Sequence, residues 1–335
     1  MENEFLIYKE NFFWIILYPL LVTSFLILIL YFYFPKLLSV SISNEKTSVI
    51  HKNFFRGYGI IFPISIFPSF LIFKNFFSLI DISYLVILTF LGYLDDKINL
   101  NYKIKFFVIS LCSIIYILFL NDLSEYDFSL FVKIITQLII FIFFILLFNQ
   151  IDGINGLAAI TFLIAITFIT LIYVPFIYIL PTFFTMLTYF GFNISGKFGI
   201  QGDAGSFFLG SFFIILLSKQ TFEENLFLFL FVLSPVLYDV VATTLIRLLF
   251  KENIFKGHKN NLYQKLAAYK SSHLFSTLIF AIIQIFLCII YFILAEILET
   301  KTLFFILSAM SIIIFLFFLV IAYLIQTKNI MSKVN

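Results

Sequence analysis

Two adjacent carboxylates, Asp95 and Asp96, end an apolar run, and Lys105 follows after nine residues. Neighbouring carboxylates at an apolar boundary repel each other, so the pair favours a divalent cation, a proton or a lysine as its partner. A solvated helix end, at which the charges simply stop the run, is the alternative. The pair is therefore the first candidate for acid–base or metal chemistry.

A further carboxylate, Asp152, lies between amides and glycines in the segment 149–157, which reads NQIDGINGL. A polar insert between apolar runs is costly unless it lines a wet cavity. Glycines next to a carboxylate also permit a tight turn and a close approach of backbone to ligand. The segment predicts a binding site that includes Asn149 and Asp152, and a plain turn between helices is the alternative.

A third polar group contains Asn193, Lys197, Asp203 and Ser206. Asp203 and Ser206 open a predicted helix, where free N–H groups and the helix dipole favour anions. Asp203 as an ordinary N-cap is the alternative. We interpret this group as the third part of one site.

Two features follow towards the C-terminus. Asp239 lies within an apolar run, and an ionisable residue at membrane depth predicts a functional role, with Arg247 or a loop lysine as its expected partner. The segment 258–265, HKNNLYQK, supplies basic and amide donors that suit phosphate binding. A basic loop that only sets membrane topology is the alternative.

Composition shows what must position these residues. The 335 residues are 62% hydrophobic and 12% charged, with a mean hydropathy of +1.11, which a single soluble core cannot accommodate. Apolar runs of about 20 residues match a helix that crosses a bilayer. We predict one integral membrane domain over 1–335, an all-α polytopic transmembrane bundle, with ten spans if the turn at Pro175 is absent and otherwise eleven. The predicted spans are 12–35, 57–73, 77–94, 104–120, 129–148, 154–173, 175–192, 205–218, 225–250, 273–296 and 303–326.

Lysine and arginine divide unevenly among the connecting loops. Sixteen of the 21 lie on one side of the predicted membrane, which the positive-inside rule makes cytoplasmic. The N-terminus is then expected outside and the C-terminus inside. A net positive inner face attracts polyanions such as nucleotides and lipid phosphates. The predicted cytoplasmic loops are 36–56, 95–105, 149–153, 193–204 and 251–272.

Taken in order, the motifs resemble those of the polyprenyl-phosphate N-acetylhexosamine-1-phosphate transferase family. Its G-x-x-D-D string matches Gly92 to Asp96, and its N-x-x-D-G-x-x-G-L string matches 149–157 without a gap. G-D-x-G-S-x-x-L-G matches 202–210, and P-x-x-D is similar to the stretch from Pro235 to Asp239. The first loop, with Asn44-Glu45-Lys46-Thr47 and a later Arg56-Gly57-Tyr58-Gly59, looks like N-E-R-S followed by R-G-G-G. The last loop resembles the branch that initiates O-antigen synthesis, although Asn261 replaces its second histidine.

The resemblance implies transfer of an N-acetylhexosamine 1-phosphate from a UDP-sugar to undecaprenyl phosphate, with release of UMP. It implies Mg²⁺, with Mn²⁺ as a substitute, held by Asp203. Asp95 or Asp96 would deprotonate or orient the lipid phosphate, and Asp152 with Asn149 would position UDP-N-acetylhexosamine. The remaining residues expected to bind substrate are Asn44, Lys105, Asn193, Lys197, His258, Lys259 and Asn261.

The resemblance also implies the inner membrane of a bacterium, with the site on the cytoplasmic face and a role in lipopolysaccharide or cell-wall synthesis. The expected partners are the two substrates and the lipid bilayer; we expect no nucleic acid, and a homodimer stays open. The rival from another class is a proton- or ion-coupled transporter, which predicts carboxylates near mid-membrane and internal pseudo-symmetry. A different lipid phosphotransferase and a structural subunit also stay open.

Overall fold

The protein is described by a computed structural model that covers residues 10–42, 53–121, 128–196, 198–219, 222–253 and 257–334. Twelve helices are described within these ranges. They are α1 (Glu10–Phe32), α2 (Ile61–Ile72), α3 (Leu79–Ile98), α4 (Tyr102–Leu120), α5 (Phe128–Ile151), α6 (Leu157–Ile172), α7 (Leu180–Ile194), α8 (Gly202–Ser218), α9 (Phe222–Leu249), α10 (Leu262–Lys270), α11 (His273–Ile297) and α12 (Thr300–Val334).

A helix lies at each of the eleven predicted positions, and the all-α class is confirmed. The turn at Pro175 separates α6 from α7, with a short 3₁₀ segment, Phe176–Tyr178, after it. Helix α10 was not predicted from the sequence, because its residues mix polar and apolar types without a long apolar run. A two-stranded antiparallel sheet was not predicted either. It consists of β1 (Ser39–Ile42) and β2 (Asn53–Arg56), and Ser39 pairs with Arg56.

Six of the described helices are long and apolar enough to cross a bilayer, namely α1, α4, α5, α9, α11 and α12. Helices α2, α6 and α8 are apolar but shorter. Many large apolar side chains are exposed on α1, α4, α11 and α12, as expected for surfaces that face lipid. These helices indicate a multi-pass membrane protein, while the number of crossings stays a prediction.

Helix α8 lies at the centre of the bundle. Every residue from Gly202 to Leu217 is buried, with α3 and α5 as its main neighbours. The C-terminal end of α8 is joined to α3 by Lys219, whose ammonium lies 2.5 Å from the carboxylate of buried Asp81. Tyr116 of α4 donates a hydrogen bond of 2.6 Å to the same carboxylate. This network fixes one end of the α3–α8 pair, and the predicted site residues lie at the other end.

Candidate active site

Asp96, in the last turn of α3, caps helix α8. Its two carboxylate oxygens accept hydrogen bonds from the backbone amides of Asp203 and Ala204, at 3.0 and 3.1 Å. The first N–H groups of a helix have no partner within the helix, and a carboxylate there is stabilised by the helix dipole. Asp96 is 4% exposed, so this cap is shielded from solvent. The carboxylate pair and the Gly-Asp segment, 107 positions apart, are therefore joined directly.

Two cations connect the carboxylates. Arg56, the last residue of β2, places Nη2 2.9 Å from Asp203 Oδ1 and 3.1 Å from Asp96 Oδ1. Lys105, in the first turn of α4, places Nζ 2.8 Å from Asp95 Oδ2 and 3.4 Å from Asp203 Oδ2. Asp203 is therefore in contact with both cations, at the middle of the cluster.

The 149–157 segment reaches the same cluster from α5. Asn149 donates from Nδ2 to Ser206 Oγ at 3.0 Å, and Ser206 donates to the carbonyl of Asp203 at 3.2 Å. Asp152, just after α5 ends, lies near the backbone of Gly202 and within the electrostatic influence of Arg56. The structure thus brings together the predicted residues Asp95, Asp96, Lys105, Asn149, Asp152 and Asp203.

The four carboxylates lie in predicted loops outside the spans, and their pKa values diverge. Burial raises the pKa of Asp152 well above its usual 3.8, and the negative charges of Asp96 and Asp203 add to the effect. Burial likewise raises the pKa of Asp96 to about 7 and that of Asp95 to about 6. For Asp203, hydrogen bonding with Asp95 and the nearby cations outweigh burial and lower the pKa to about 2. Asp203 therefore stays ionised near neutral pH, whereas the raised pKa values of Asp95, Asp96 and Asp152 make these carboxyl groups harder to ionise.

The donor set fits a magnesium ion that is held jointly with a substrate. No group of three or more His, Cys, Asp or Glu side chains is arranged to bind a metal within the described ranges. Mg²⁺ in phosphate-handling sites is typically bound by one or two carboxylates, substrate phosphates and water. Asp95 and Asp203 share Lys105, and no donor among the described residues reaches the buried Oδ1 of Asp95. These two carboxylates are the ones that could ligate such an ion.

The remaining predicted site residues are placed differently. Asn193 is buried and joins two turns, since Oδ1 accepts from Gly156 N at 2.5 Å and Nδ2 donates to Gly199 O at 2.8 Å. Asn261 is also buried and donates to the hydroxyl of Tyr263 at 2.9 Å. Both amides thus contact protein groups. Asn44 and Lys197 fall outside the described residues.

His258 and Lys259 are half-buried in the loop before α10. The Nδ1 atom of His258 accepts a hydrogen bond from Asn260 N at 3.2 Å. Burial lowers the pKa of His258 to about 4, with a further contribution from the positive charge of Arg247. The imidazole is therefore neutral near pH 7, with its proton on Nε2, and it would serve as a neutral donor.

The prediction that Asp239 pairs with Arg247 or a loop lysine is wrong. Among the described residues, the carboxylate oxygens of Asp239 accept hydrogen bonds from the backbone amides of Leu262 and Tyr263, at 2.8 and 3.0 Å, and not from Arg247 or a lysine. Arg247 instead places Nε 2.9 Å from Glu252. A buried carboxylate that receives two helix N-terminal amides is stabilised without a cation.

Arg56 is not among the site residues predicted from the sequence, although it opens the Arg56–Gly59 motif. Arg56 precedes all four carboxylates of the site in the sequence, and its distance from them along the chain gives no indication that they are close in space. The only available signal was a lone arginine next to two glycine positions, at the predicted inner face. Its contacts with Asp96 and Asp203 make it part of the cluster.

Comparison with known families bears on the same region. Residues 78–220 match the family described as Glycosyl transferase family 4. A comparison with curated proteins found no match. The matched segment, less than half of the chain, includes the four carboxylates, Lys105 and Asn149, whereas Arg56 and the 258–265 loop lie outside it. The match supports a phosphosugar transferase of this type.

Proposed function

We propose that the protein transfers N-acetylhexosamine 1-phosphate from a UDP-sugar to undecaprenyl phosphate and releases UMP. The family match supports a polyprenyl-phosphate sugar-phosphate transferase in general. The observation that carries the specific proposal is the cluster of Asp95, Asp96, Asp152 and Asp203 with Arg56 and Lys105. Five separate segments build this cluster at one end of the bundle.

The reaction explains why both signs of charge are needed. An oxygen of the lipid phosphate forms a bond to the sugar-linked phosphorus, the bond from that phosphorus to the bridging oxygen breaks, and UMP leaves with that oxygen. At least three negative charges approach one another, so catalysis rests on positioning and charge neutralisation. Arg56 and Lys105 would exchange carboxylates for phosphate oxygens as substrates bind.

The carboxylates would then have distinct roles. Asp203, whose pKa is lowered, would hold Mg²⁺ with Asp95, and Mn²⁺ could replace it. When bound, the ion would neutralise charge on the reacting phosphates. Asp96 is committed to the amides of α8, so Asp95, with its unpartnered oxygen, is the better candidate to orient or deprotonate the lipid phosphate. Asp152, with Asn149, would position the UDP-sugar.

The proposed setting is the inner membrane of a bacterium, with the site facing the cytoplasm, where UDP-sugars are available. The resemblance of the last loop supports a step that starts O-antigen or a related surface polysaccharide. The clustered carboxylates lie at helix ends, and Asp239 is occupied as a helix cap. Neither arrangement supports the ion-coupled transporter considered from the sequence.

The direct test is a transfer assay with the purified protein in lipid nanodiscs. UDP-N-acetylglucosamine, undecaprenyl phosphate and Mg²⁺ are supplied together, and UMP and the sugar–lipid pyrophosphate are measured. We expect both products, in equal amounts and only when both substrates are present. If no UDP-N-acetylhexosamine yields UMP with the lipid phosphate, the proposed function is wrong.

A further inference from the structure

The turn that carries Asp152 is in contact with helix α10. Tyr263, in the first turn of α10, donates from its hydroxyl to the carbonyl of Gln150 at 2.7 Å. The last carbonyls of a helix have no partner within that helix, and this hydroxyl satisfies one at the end of α5. Tyr263 is fully buried, so no water competes for the bond. One hydrogen bond therefore fixes the backbone two residues before Asp152.

Helix α10 also contacts the residue that follows Asp152. A β-carbon on Gly153 would lie 2.9 Å from Gln264 Nε2 and 3.2 Å from the hydroxyl of Tyr263. Such separations are shorter than ordinary van der Waals contact, so the first turn of α10 packs directly on the Gly153 backbone. Asp152 is thus held between two neighbours, Gln150 and Gly153, that touch the same helix.

Tyr263 is itself held by three polar groups. Asn261 donates to its hydroxyl at 2.9 Å, and Ser276 of α11 donates to its carbonyl at 2.7 Å. Asp239 of α9 accepts from its amide and from that of Leu262. Because Asp239 caps α10 from another helix, the side chain of Asn261 is free to orient the phenol.

The far end of the turn is fixed by α11. His273 Nδ1 accepts from the amide of Asn155 at 3.2 Å, and Thr277 donates to the carbonyl of Asn155 at 2.9 Å. The turn from Gln150 to Asn155 is therefore bonded to α10 and α11 on one side, while Asp152 interacts with the carboxylate cluster.

We propose that Tyr263 is a positioning residue for the transfer reaction, which it serves by holding the Asp152 turn, and that Asp239 supports it by capping α10. This inference rests on the proposed function. A rigid partner for the turn would keep Asp152 in one orientation towards the UDP-sugar, and small misplacements of such groups lower turnover strongly. The recognised carboxylate motif would then depend on a helix outside the segment that matches the family.

The test uses Tyr263→Phe, which removes only the hydroxyl and keeps the ring against Phe280. We expect kcat to fall about 10-fold, near the upper end for one neutral hydrogen bond, with KM for undecaprenyl phosphate unchanged. The matched control is Tyr84→Phe, since Tyr84 is also buried and bonds Ser113 at 3.1 Å, away from the carboxylate cluster. The control should retain wild-type kcat.

A double-mutant cycle separates positioning from general loosening. If Tyr263 acts through Asp152, Tyr263→Phe should have little further effect on residual transfer in an Asp152→Asn background. Equal effects of Tyr263→Phe in both backgrounds would overturn the inference.

Amide hydrogen exchange gives a readout that needs no activity. Tyr263→Phe should speed exchange in a peptide that covers 150–156, whereas Tyr84→Phe should not. Unchanged exchange in Tyr263→Phe would overturn the inference about Tyr263, whether or not the wild-type protein transfers a sugar phosphate. A wild-type protein without transfer activity would by itself refute only the proposed function.

Discussion

Gly92 of α3 contacts the backbone of Asp203 of α8 so closely that a β-carbon on Gly92 would overlap the Asp203 carbonyl. The two helices meet backbone to backbone at this crossing, three residues before Asp95. At the opposite end of the same pair, Lys219 is joined to Asp81. The spacing of the carboxylates in the cluster is therefore determined by a helix crossing that tolerates no side chain.

Gly92→Ala should separate α3 from α8 and impair the site. Overpacking of this kind costs about 1–3 kcal/mol of stability, and misplaced carboxylates should lower turnover at least about 10-fold. The control is Gly191→Ala in α7, where a β-carbon meets nothing within 4 Å. Thermal unfolding and transfer rates would be measured on both variants. Wild-type turnover in Gly92→Ala would show that the crossing is not needed for catalysis.

Removal of the proposed Mg²⁺, or of its proposed ligand Asp203, should abolish most transfer. Asp203→Asn preserves size but removes the charge that stays ionised beside Arg56 and Lys105. We expect at least about a 10²-fold loss of turnover in Asp203→Asn, and a comparable loss for wild type in EDTA that Mg²⁺ restores. Full activity in EDTA would exclude the proposed metal dependence.

The positions of the helices could be predicted because apolar runs separated by polar loops are a property of local sequence, although only six of the described helices are long and apolar enough to cross a bilayer. The proximity of Asp95, Asp152 and Asp203 could also be predicted, because all three lie in loops on the same predicted side of the membrane. The different roles of Asp95 and Asp96 could not be predicted. They depend on which oxygen meets the amides of α8, and adjacent residues on a helix point in different directions. The partner of Asp239 was mispredicted because backbone amides carry no signature in sequence.

Arg56→Gln should weaken transfer and shift its pH dependence. The positive charge of Arg56 lowers the pKa values of Asp96, Asp152 and Asp203, so its loss raises them. A higher pH is then needed to ionise the cluster, and the acidic limb of the pH–rate profile should move to higher pH. Arg56→Lys should restore the position of the acidic limb in part but not the rate, because a compact ammonium does not reproduce the planar guanidinium whose Nη2 contacts both Asp203 and Asp96.

The control for this variant is Lys97→Gln. Lys97 follows Asp96 in sequence, but its ammonium bonds the carbonyl of Lys36 at 2.6 Å. Its removal should leave the acidic limb in place. A shift of the same size in both variants would mean that overall charge, and not the contacts of Arg56, sets the profile.

The predicted orientation can be tested with fused reporters. Because sixteen of the 21 basic residues fall on the proposed inner face, a fluorescent protein fused after Asn335 should be active in the cytoplasm. A phosphatase that works only outside the inner membrane should be active when inserted in the 121–128 loop. The opposite pair of results would place the carboxylate cluster on the outer face and contradict the proposed use of UDP-sugars.

His258 should contribute a neutral hydrogen bond, and its titration should not shape activity near neutral pH. Its folded-state pKa of about 4 lies below the ordinary 6.5, because the charged form is disfavoured by burial. Protonation of His258 therefore favours the unfolded state. The free energy of unfolding falls as the pH decreases from about 6.5 towards 4, and titration of His258 does not change it above about pH 6.5. His258→Ala should remove the Nε2 donor and lower kcat/KM for the UDP-sugar about 10- to 100-fold, the range for a bond to a charged phosphate. Between pH 6.5 and 8.5 the wild-type and variant profiles should differ in height and not in shape. If instead the variant loses an inflection near pH 6.5 that the wild type shows, the imidazole titrates in the working enzyme and acts as a cation or a proton carrier.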